Sequence, residues 1–171
     1  DQHQMIPVVL GSVLPGYHDK QFNISRTAFQ YEGSVTQLSK PDPAHMLEHA
    51  YMYLHAPYLW GGKSPFGIDC SGFTQMVYKL SGIRIRRDAW QQAEQGTPVP
   101  NIQEARAGDL AFFSNDEGKV IHTGILLPGG RIMHASGRVR IDELDATGIL
   151  NSDTGQLSHR LHSIRRYVNL P

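Results

Sequence analysis

Between Val120 and Ala135 the chain has little choice but to fold back on itself. Val120-Ile-His122-Thr-Gly-Ile-Leu-Leu127 is β-branched and apolar, Pro128-Gly-Gly130 reads as a three-residue turn, and Arg131-Ile-Met-His134-Ala135 returns as a second strand. If Leu127 pairs with Arg131, Gly124 falls opposite His134 and Ser136 opposite His122. Both histidines then point to one face of the sheet, diagonal neighbours roughly 7 Å apart at the backbone. Gly124 leaves room for the imidazole across from it. A turn one residue shorter or longer would send the two rings to opposite faces.

A second constraint lies upstream, where Tyr58-Leu-Trp-Gly-Gly-Lys-Ser-Pro-Phe-Gly-Ile-Asp69 runs into Cys70-Ser-Gly-Phe73. Apolar residues at Phe73, Met76, Val77 and Leu80 give one buried helical face, and Gly82 supplies the stop. The only cysteine therefore opens a helix behind a glycine-rich turn. First-turn N–H groups lack intrahelical partners and carry the positive end of the macrodipole, which favours a thiolate and makes Cys70 a candidate nucleophile. The alternative is that Cys70 is the apolar lip of the buried face.

A cysteine, a histidine and a third polar group that orients the histidine suffice for thiol nucleophilic catalysis. One histidine takes the thiol proton and returns it to the leaving amine; the other hydrogen-bonds the first ring's second nitrogen and fixes its tautomer. Two alternatives stand beside this: both rings are core histidines satisfied by backbone, or Cys70, His122 and His134 bind zinc. No acidic ligand or paired cysteine motif accompanies them, so neither a metal nor a cofactor is expected.

Asp42 and Pro43 read as the cap and first residue of a helix ending near Ala56, with Leu47, Ala50, Tyr51 and Leu54 as its buried stripe. His45 and His49 are spaced like a metal pair but lie off that stripe, on a solvated face. Asp88 caps a short helix over Ala89 to Gln95. Strands are expected at Asp109 to Ser114, Val120 to Leu127, Arg131 to Ala135, Arg138 to Ile141 and Leu161 to Val168. The fold class is α+β: helices first, then an antiparallel meander whose hairpin faces the amino end of the nucleophile helix. That geometry brings Cys70 sulfur to within reach of a His122 ring nitrogen.

Residues 1–40 differ, with short apolar bursts such as Met5 to Leu10 and Phe29-Gln-Tyr31 separated by turns. A boundary at Ser39-Lys-Pro-Asp-Pro43 separates this small β element from a domain over residues 41–171. Forty residues bury too little surface to stand alone, so the element must pack on the larger domain.

With 16 basic and 16 acidic side chains, the chain offers no electrostatic case for nucleic acid or an anionic membrane surface. Basic clusters at Arg84 to Arg87 and Arg165-Arg166 read as solvated edges. No apolar run is long enough to span a membrane. A single cysteine means no intramolecular disulfide. Asp1-Gln-His-Gln is polar and no signal-peptide pattern follows it.

Tyr58-x-Trp60-Gly-Gly, Asp69-Cys-Ser-Gly-Phe73, Ala107-Gly-Asp-Leu-Ala-Phe-Phe113, His122-x-Gly-Ile125 and Met133-His-Ala135 occur in the order and spacing typical of NlpC-type cysteine peptidases. The resemblance covers about residues 42 to 168 and rests on five motifs in order. It implies a compact papain-like core, with Cys70 as nucleophile, His122 as base and His134 as its orienter. It further implies that Tyr58 supports the oxyanion region and that Asp69 and Ser71 line the pocket for the substrate's free amino terminus or D-glutamyl part; by residue chemistry alone, Asp69 and Ser71 are equally helix caps. The amino-terminal element resembles part of a bacterial SH3-type barrel.

The activity implied is hydrolysis of the γ-D-glutamyl to diamino acid amide of peptidoglycan stem peptides through a thioester. An N-acetylmuramoyl-L-alanine amidase, a cross-bridge peptidase, an acyltransferase and an inactive wall-binding module remain as alternatives. The expected partners are peptidoglycan stem peptides, acted on by a monomer in the periplasm or at the cell surface, with cytoplasmic recycling as the other location.

Overall fold

The computed structural model describes residues 5–36 and 41–168. In chain order the elements are β1 (Gln21–Ile24), β2 (Thr27–Gln30), α1 (Met46–Tyr51), β3 (Lys63–Ser64), β4 (Gly67–Ile68), α2 (Cys70–Leu80) and α3 (Ala89–Ala93). There follow β5 (Thr97–Val99), β6 (Leu110–Ser114), β7 (Val120–Leu127), β8 (Arg131–Ser136), β9 (Arg138–Leu144), β10 (Gly148–Leu150) and β11 (Leu157–Arg166).

The meander runs β6 to β10 as antiparallel neighbours, and the expected hairpin register is the one found, with Leu127 opposite Arg131 and Gly124 opposite His134. The sheet is more than an open meander. β11 pairs with both β6 and β10, so the six strands close into a barrel and β5 extends it from β11. Period-two alternation then sorts every strand between two cores. Leu110, Phe112, Ile125, Leu127, Met133, Ala135 and Val139 face the helices, while Ala111, Phe113, Leu126, Ile132, Leu144, Ile149 and Ile164 form the second core, inside the barrel.

α2 lies at the centre of the first core, packed against α1, β7 and β8. It starts and ends where the spacing predicts: Asp69 caps it through Gly72 N–H at 2.6 Å, and Gly82 follows with φ of 75°. Its buried surface is wider than one stripe, taking in Thr74 and Tyr78 as well as Phe73, Met76 and Val77. Part of that cover comes from the amino-terminal segment, since Gly11 lies against Met76 and Lys79 Nζ donates to Gly11 O at 2.7 Å.

The expectations for α1 and for the strands are corrected. α1 begins at Met46, because Asp42 and Pro43 form a turn in which Asp42 Oδ1 accepts from Ala44 N–H and Met46 N–H donates to Pro43 O. Of the expected stripe, Ala50 is buried and Leu47 and Leu54 pack against the core, where Met46 and Tyr53 join them, while Tyr51 is 45% exposed. The chain leaves the helix through single-turn bonds at Tyr53, Leu54 and Ala56 and then pairs with Val139 of β9, so the helix cannot continue to Ala56. Lastly, β5 and β10 were not expected, and the last strand begins at Leu157 rather than Leu161, a stretch of polar residues without apolar alternation.

The amino-terminal element contributes the hairpin β1–β2, in which Phe22 and Phe29 stack at 5.2 Å. The segment before it meets the core around α2 through Leu10 and Gly11, with Tyr53 OH donating to Leu10 O. The expected boundary falls partly on residues 37–40, outside the described residues. Among the described residues no helix is long and apolar enough to cross a membrane.

Candidate active site

The barrel interior is apolar along most of its length and polar at one end. His122, His134 and Asp142 share inward parity with Leu126, Ile132 and Leu144 on β7, β8 and β9, and all three are buried. The amino end of α2 sits beside this polar end, with Thr123 N–H of β7 directed at the Cys70 sulfur.

His122 and His134 are joined ring to ring, Nε2 to Nδ1 at 2.8 Å, with the rings at 86°. His134 Nε2 continues to Asp142 Oδ2 at 2.8 Å. Asp142 Oδ1 accepts from Arg140 Nη2 (2.9 Å), Ser152 N–H (2.9 Å) and Ser152 Oγ (2.6 Å), and Arg140 Nε lies 2.8 Å from Oδ2. Burial alone would raise this carboxyl's pKa, but the hydrogen bonds from His134, Ser152 and Arg140 prevail and hold it well below the ordinary 3.8.

Gly124 is what lets the His134 ring lie there. A Cβ at this position would come within 2.8 Å of His134 Cβ, Ile132 Cδ1 and Met133 O, closer than side-chain carbons approach. Gly124→Ala is expected to destabilise the fold by about 1–3 kcal/mol through overpacking and to slow turnover by displacing His134. Thermal denaturation and steady-state rates check this; a variant as stable and as fast as wild type would show that the space is not needed.

Cys70 is the first residue of α2 and is buried. The helix start favours a thiolate, and the surroundings of Cys70 oppose it. Burial pushes the thiol up from 9.0 to about 11, the Asp69 charge adds to this, and the N–H groups of Thr123, Ser71 and Cys70 recover only part. His122 is pushed well below 6.5, first by burial and then by His134 and His159. Burial thus disfavours the charged form of both groups. Among the described residues no hydrogen bond joins Cys70 to the His122 ring; the two meet through Thr123, which follows His122 in β7 and directs its N–H at the sulfur.

Asp69 is a structural hub. Oδ1 accepts from Gly72 N–H and from Arg87 Nη1 (3.0 Å), and Oδ2 accepts from Gly61 N–H (2.8 Å) and Arg87 Nη2 (2.6 Å). Its burial is outweighed by the Arg87 and backbone bonds, which keep the carboxyl below its ordinary pKa. Asp69 is thus the helix cap, and it ties the glycine turn to Arg87. Ser71 is no cap: its hydroxyl oxygen accepts from Arg87 Nη1 at 2.8 Å. Tyr58 is 39% exposed, and its hydroxyl is pushed up by burial and by the neighbouring Cys70 and Asp69. Cys70, Tyr58, Asp69 and Ser71 are therefore together, with the histidine pair adjoining.

Four participants were missed in the sequence. Arg87 reads in sequence as part of a solvated basic cluster, but it clamps Asp69 and Ser71. Asp142 and Arg140 lie on β9, the first one residue beyond the end of the expected strand and the second inside it; parity carried one residue further puts Asp142 on the histidine face. His159 on β11 stacks on His122 at 4.1 Å and 22°, and burial lowers its pKa to about 4 with help from His134. Nothing in its polar segment announced it.

Ring nitrogens of His122, His134 and His159 lie within 4.8 Å of one another, the spacing of a metal-ligand group, and Cys70 is not among them. Their orientation suits a relay better than an ion. The near-parallel His122 and His159 rings direct their lone pairs in parallel planes, and both His134 nitrogens already have partners.

Residues 55–158 match the model of the NlpC/P60 family. A γ-D-glutamyl-L-lysine dipeptidyl-peptidase of Bacillus subtilis is 44% identical over 92 residues, covering 53% of this chain and 31% of that protein. One of the same name from Bacillus cereus is 38% identical over 127 residues, covering 71% of this chain and 38% of that protein. The chain thus spans about a third of the length of these relatives. The crystal structure of a NlpC/P60 family protein from Bacillus cereus superposes with a TM-score of 0.65 at 26% identity, covering 91% of this chain and 53% of that one.

Proposed function

The chain belongs to the NlpC/P60 family, and on that footing we propose that it is a cell-wall cysteine peptidase that hydrolyses the amide between the γ-carboxyl of D-glutamate and the diamino acid of peptidoglycan stem peptides. The observation that carries the reading is the lone cysteine at the amino end of α2, set beside a buried His122–His134–Asp142 chain. The names of the Bacillus relatives support the choice of bond. The closed barrel packed on the nucleophile helix supports a compact papain-like core. The β1–β2 hairpin is read as the reduced SH3-type element.

In this mechanism His122 Nδ1 takes the Cys70 proton as sulfur attacks the γ-carbonyl carbon. Nε2 is engaged with His134, which leaves Nδ1 for the thiol. The tetrahedral oxyanion is held by Cys70 N–H and Tyr58 OH. The intermediate collapses to a thioester as His122 returns the proton to the departing amine. Water, deprotonated by His122, then adds to the thioester and releases the peptide acid and the thiol. On this reading Asp69 and Ser71 line the pocket for the substrate's free amino terminus or D-glutamyl part, and Arg87, hydrogen-bonded to both, joins them there. The site of action is where peptidoglycan or its fragments lie, outside the cytoplasmic membrane.

Mass spectrometry of a muropeptide digest tests the assignment. The expected new products are the L-alanyl-D-glutamate end and a peptide beginning at the diamino acid. Release of intact stem peptide from the sugar would instead establish an amidase and overturn the choice of bond.

A further inference from the structure

Asp142 lies two rings away from the nucleophile, yet the direction of every hydrogen bond between them follows from it. Its Oδ2 is ionised and can only accept, so His134 Nε2 must donate. A neutral His134 that donates from Nε2 has a lone pair at Nδ1, and the partner at 2.8 Å, His122 Nε2, must then carry its proton. A neutral His122 protonated at Nε2 has its lone pair at Nδ1, the nitrogen left for the thiol. We propose that Asp142 is a positioning residue that sets the tautomers of His134 and His122 in series, so that the catalytic lone pair faces Cys70. The inference rests on the roles given to Cys70 and His122 under the proposed function.

Asp142→Asn reverses the chain for a reason written in its contacts. Oδ1 faces Arg140 Nη2 and Ser152 N–H, donors that cannot change, along with the Ser152 hydroxyl. The amide oxygen must take that side. The amide nitrogen then falls at the Oδ2 position, against His134 Nε2 and Arg140 Nε; the latter has no aligned hydrogen-bond partner even in the native pair. His134 is the one neighbour able to adjust, by moving its proton to Nδ1. That proton is donated to His122 Nε2, and His122 becomes protonated at Nδ1, facing the thiol with N–H instead of a lone pair. When His122 becomes an imidazolium during catalysis, the same carboxylate stabilises it across the intervening ring, as an amide cannot.

The test has two readouts. Long-range nitrogen–proton correlation spectra of histidine-labelled protein report each tautomer without substrate. Wild type is expected to show Nε2–H at both His122 and His134, and Asp142→Asn to show Nδ1–H at both. Turnover of the stem peptide by Asp142→Asn is expected to fall about 100-fold in kcat with KM little changed. In a His134→Gln background, where no ring passes the signal on, the same substitution should cost no more than about twofold. Wild-type rings protonated at Nδ1 would overturn the inference without any variant, as would an equal loss from Asp142→Asn in both backgrounds, which would mark a merely structural carboxylate. The spectra hold whatever bond the enzyme cuts, so failure of the substrate assignment is separable from failure of this relay.

Discussion

Cys70→Ala is expected to reduce stem-peptide hydrolysis to the uncatalysed background, a loss of about 10⁵-fold or more, because a catalytic unit that has lost its nucleophile retains only binding and oxyanion contacts. The substitution removes one sulfur atom from a buried site and leaves the α2 cap intact, since Asp69 supplies that cap from the preceding position. The cost in stability should be about 1 kcal/mol, the ordinary scale for a small buried truncation. Circular dichroism and thermal unfolding should therefore match wild type closely while activity vanishes. Cys70→Ser is expected to be as inactive. His122 is weakened as a base by burial, and a hydroxyl is far harder to deprotonate than a thiol already pushed up to about 11. Wild-type turnover by either variant would place the nucleophile elsewhere.

The second large effect is at His122. His122→Ala is expected to cost about 10⁴-fold in kcat/KM, the upper range for a group that both removes and returns a proton. His134→Gln should cost less, since glutamine can keep a hydrogen bond to His122 Nε2 and the task is orientation; a larger loss there than at His122 would reverse the two roles. The pH profile carries the same assignment. His122 titrates below 6.5, so as pH rises through that lowered value the ring loses its proton, the base appears, and the rate climbs to its plateau before neutrality. The Cys70 thiol titrates above 9.0, so the form in which one proton is shared between sulfur and ring persists until well into the alkaline range. Above it, a thiolate without an imidazolium has no acid for the leaving amine, and the rate falls. The profile of kcat/KM should thus be flat between about pH 6.5 and 9.0, and the acid limb should be absent in His122→Ala.

Strand parity was the most legible part of this chain. The Leu127–Arg131 pairing, the shared face of His122 and His134 and the need for Gly124 followed from a two-residue period and a turn of fixed length. The nucleophile helix was equally clear, because its cap, apolar spacing and glycine stop are all local. What escaped was set by long-range contact. Barrel closure depends on β11, whose first half pairs with β10 through residues that carry no apolar alternation, so His159 and its stack on His122 left no local trace. Arg87 looked like one charge in a basic run, and only the fold brings it against Asp69, 18 residues earlier. The surroundings of Cys70 were legible only in part for a related reason. The helix dipole is visible in sequence, whereas the burial and the Asp69 charge that outweigh it belong to the folded site.

The most direct measurement is intact-protein mass spectrometry of the enzyme quenched in acid during turnover of an L-alanyl-γ-D-glutamyl-diamino acid peptide. The account predicts an adduct with the mass of the alanyl-glutamyl acyl group, located to the peptide containing Cys70 and absent from Cys70→Ala. Full turnover by Cys70→Ala, or an acyl adduct on any other residue, would contradict it.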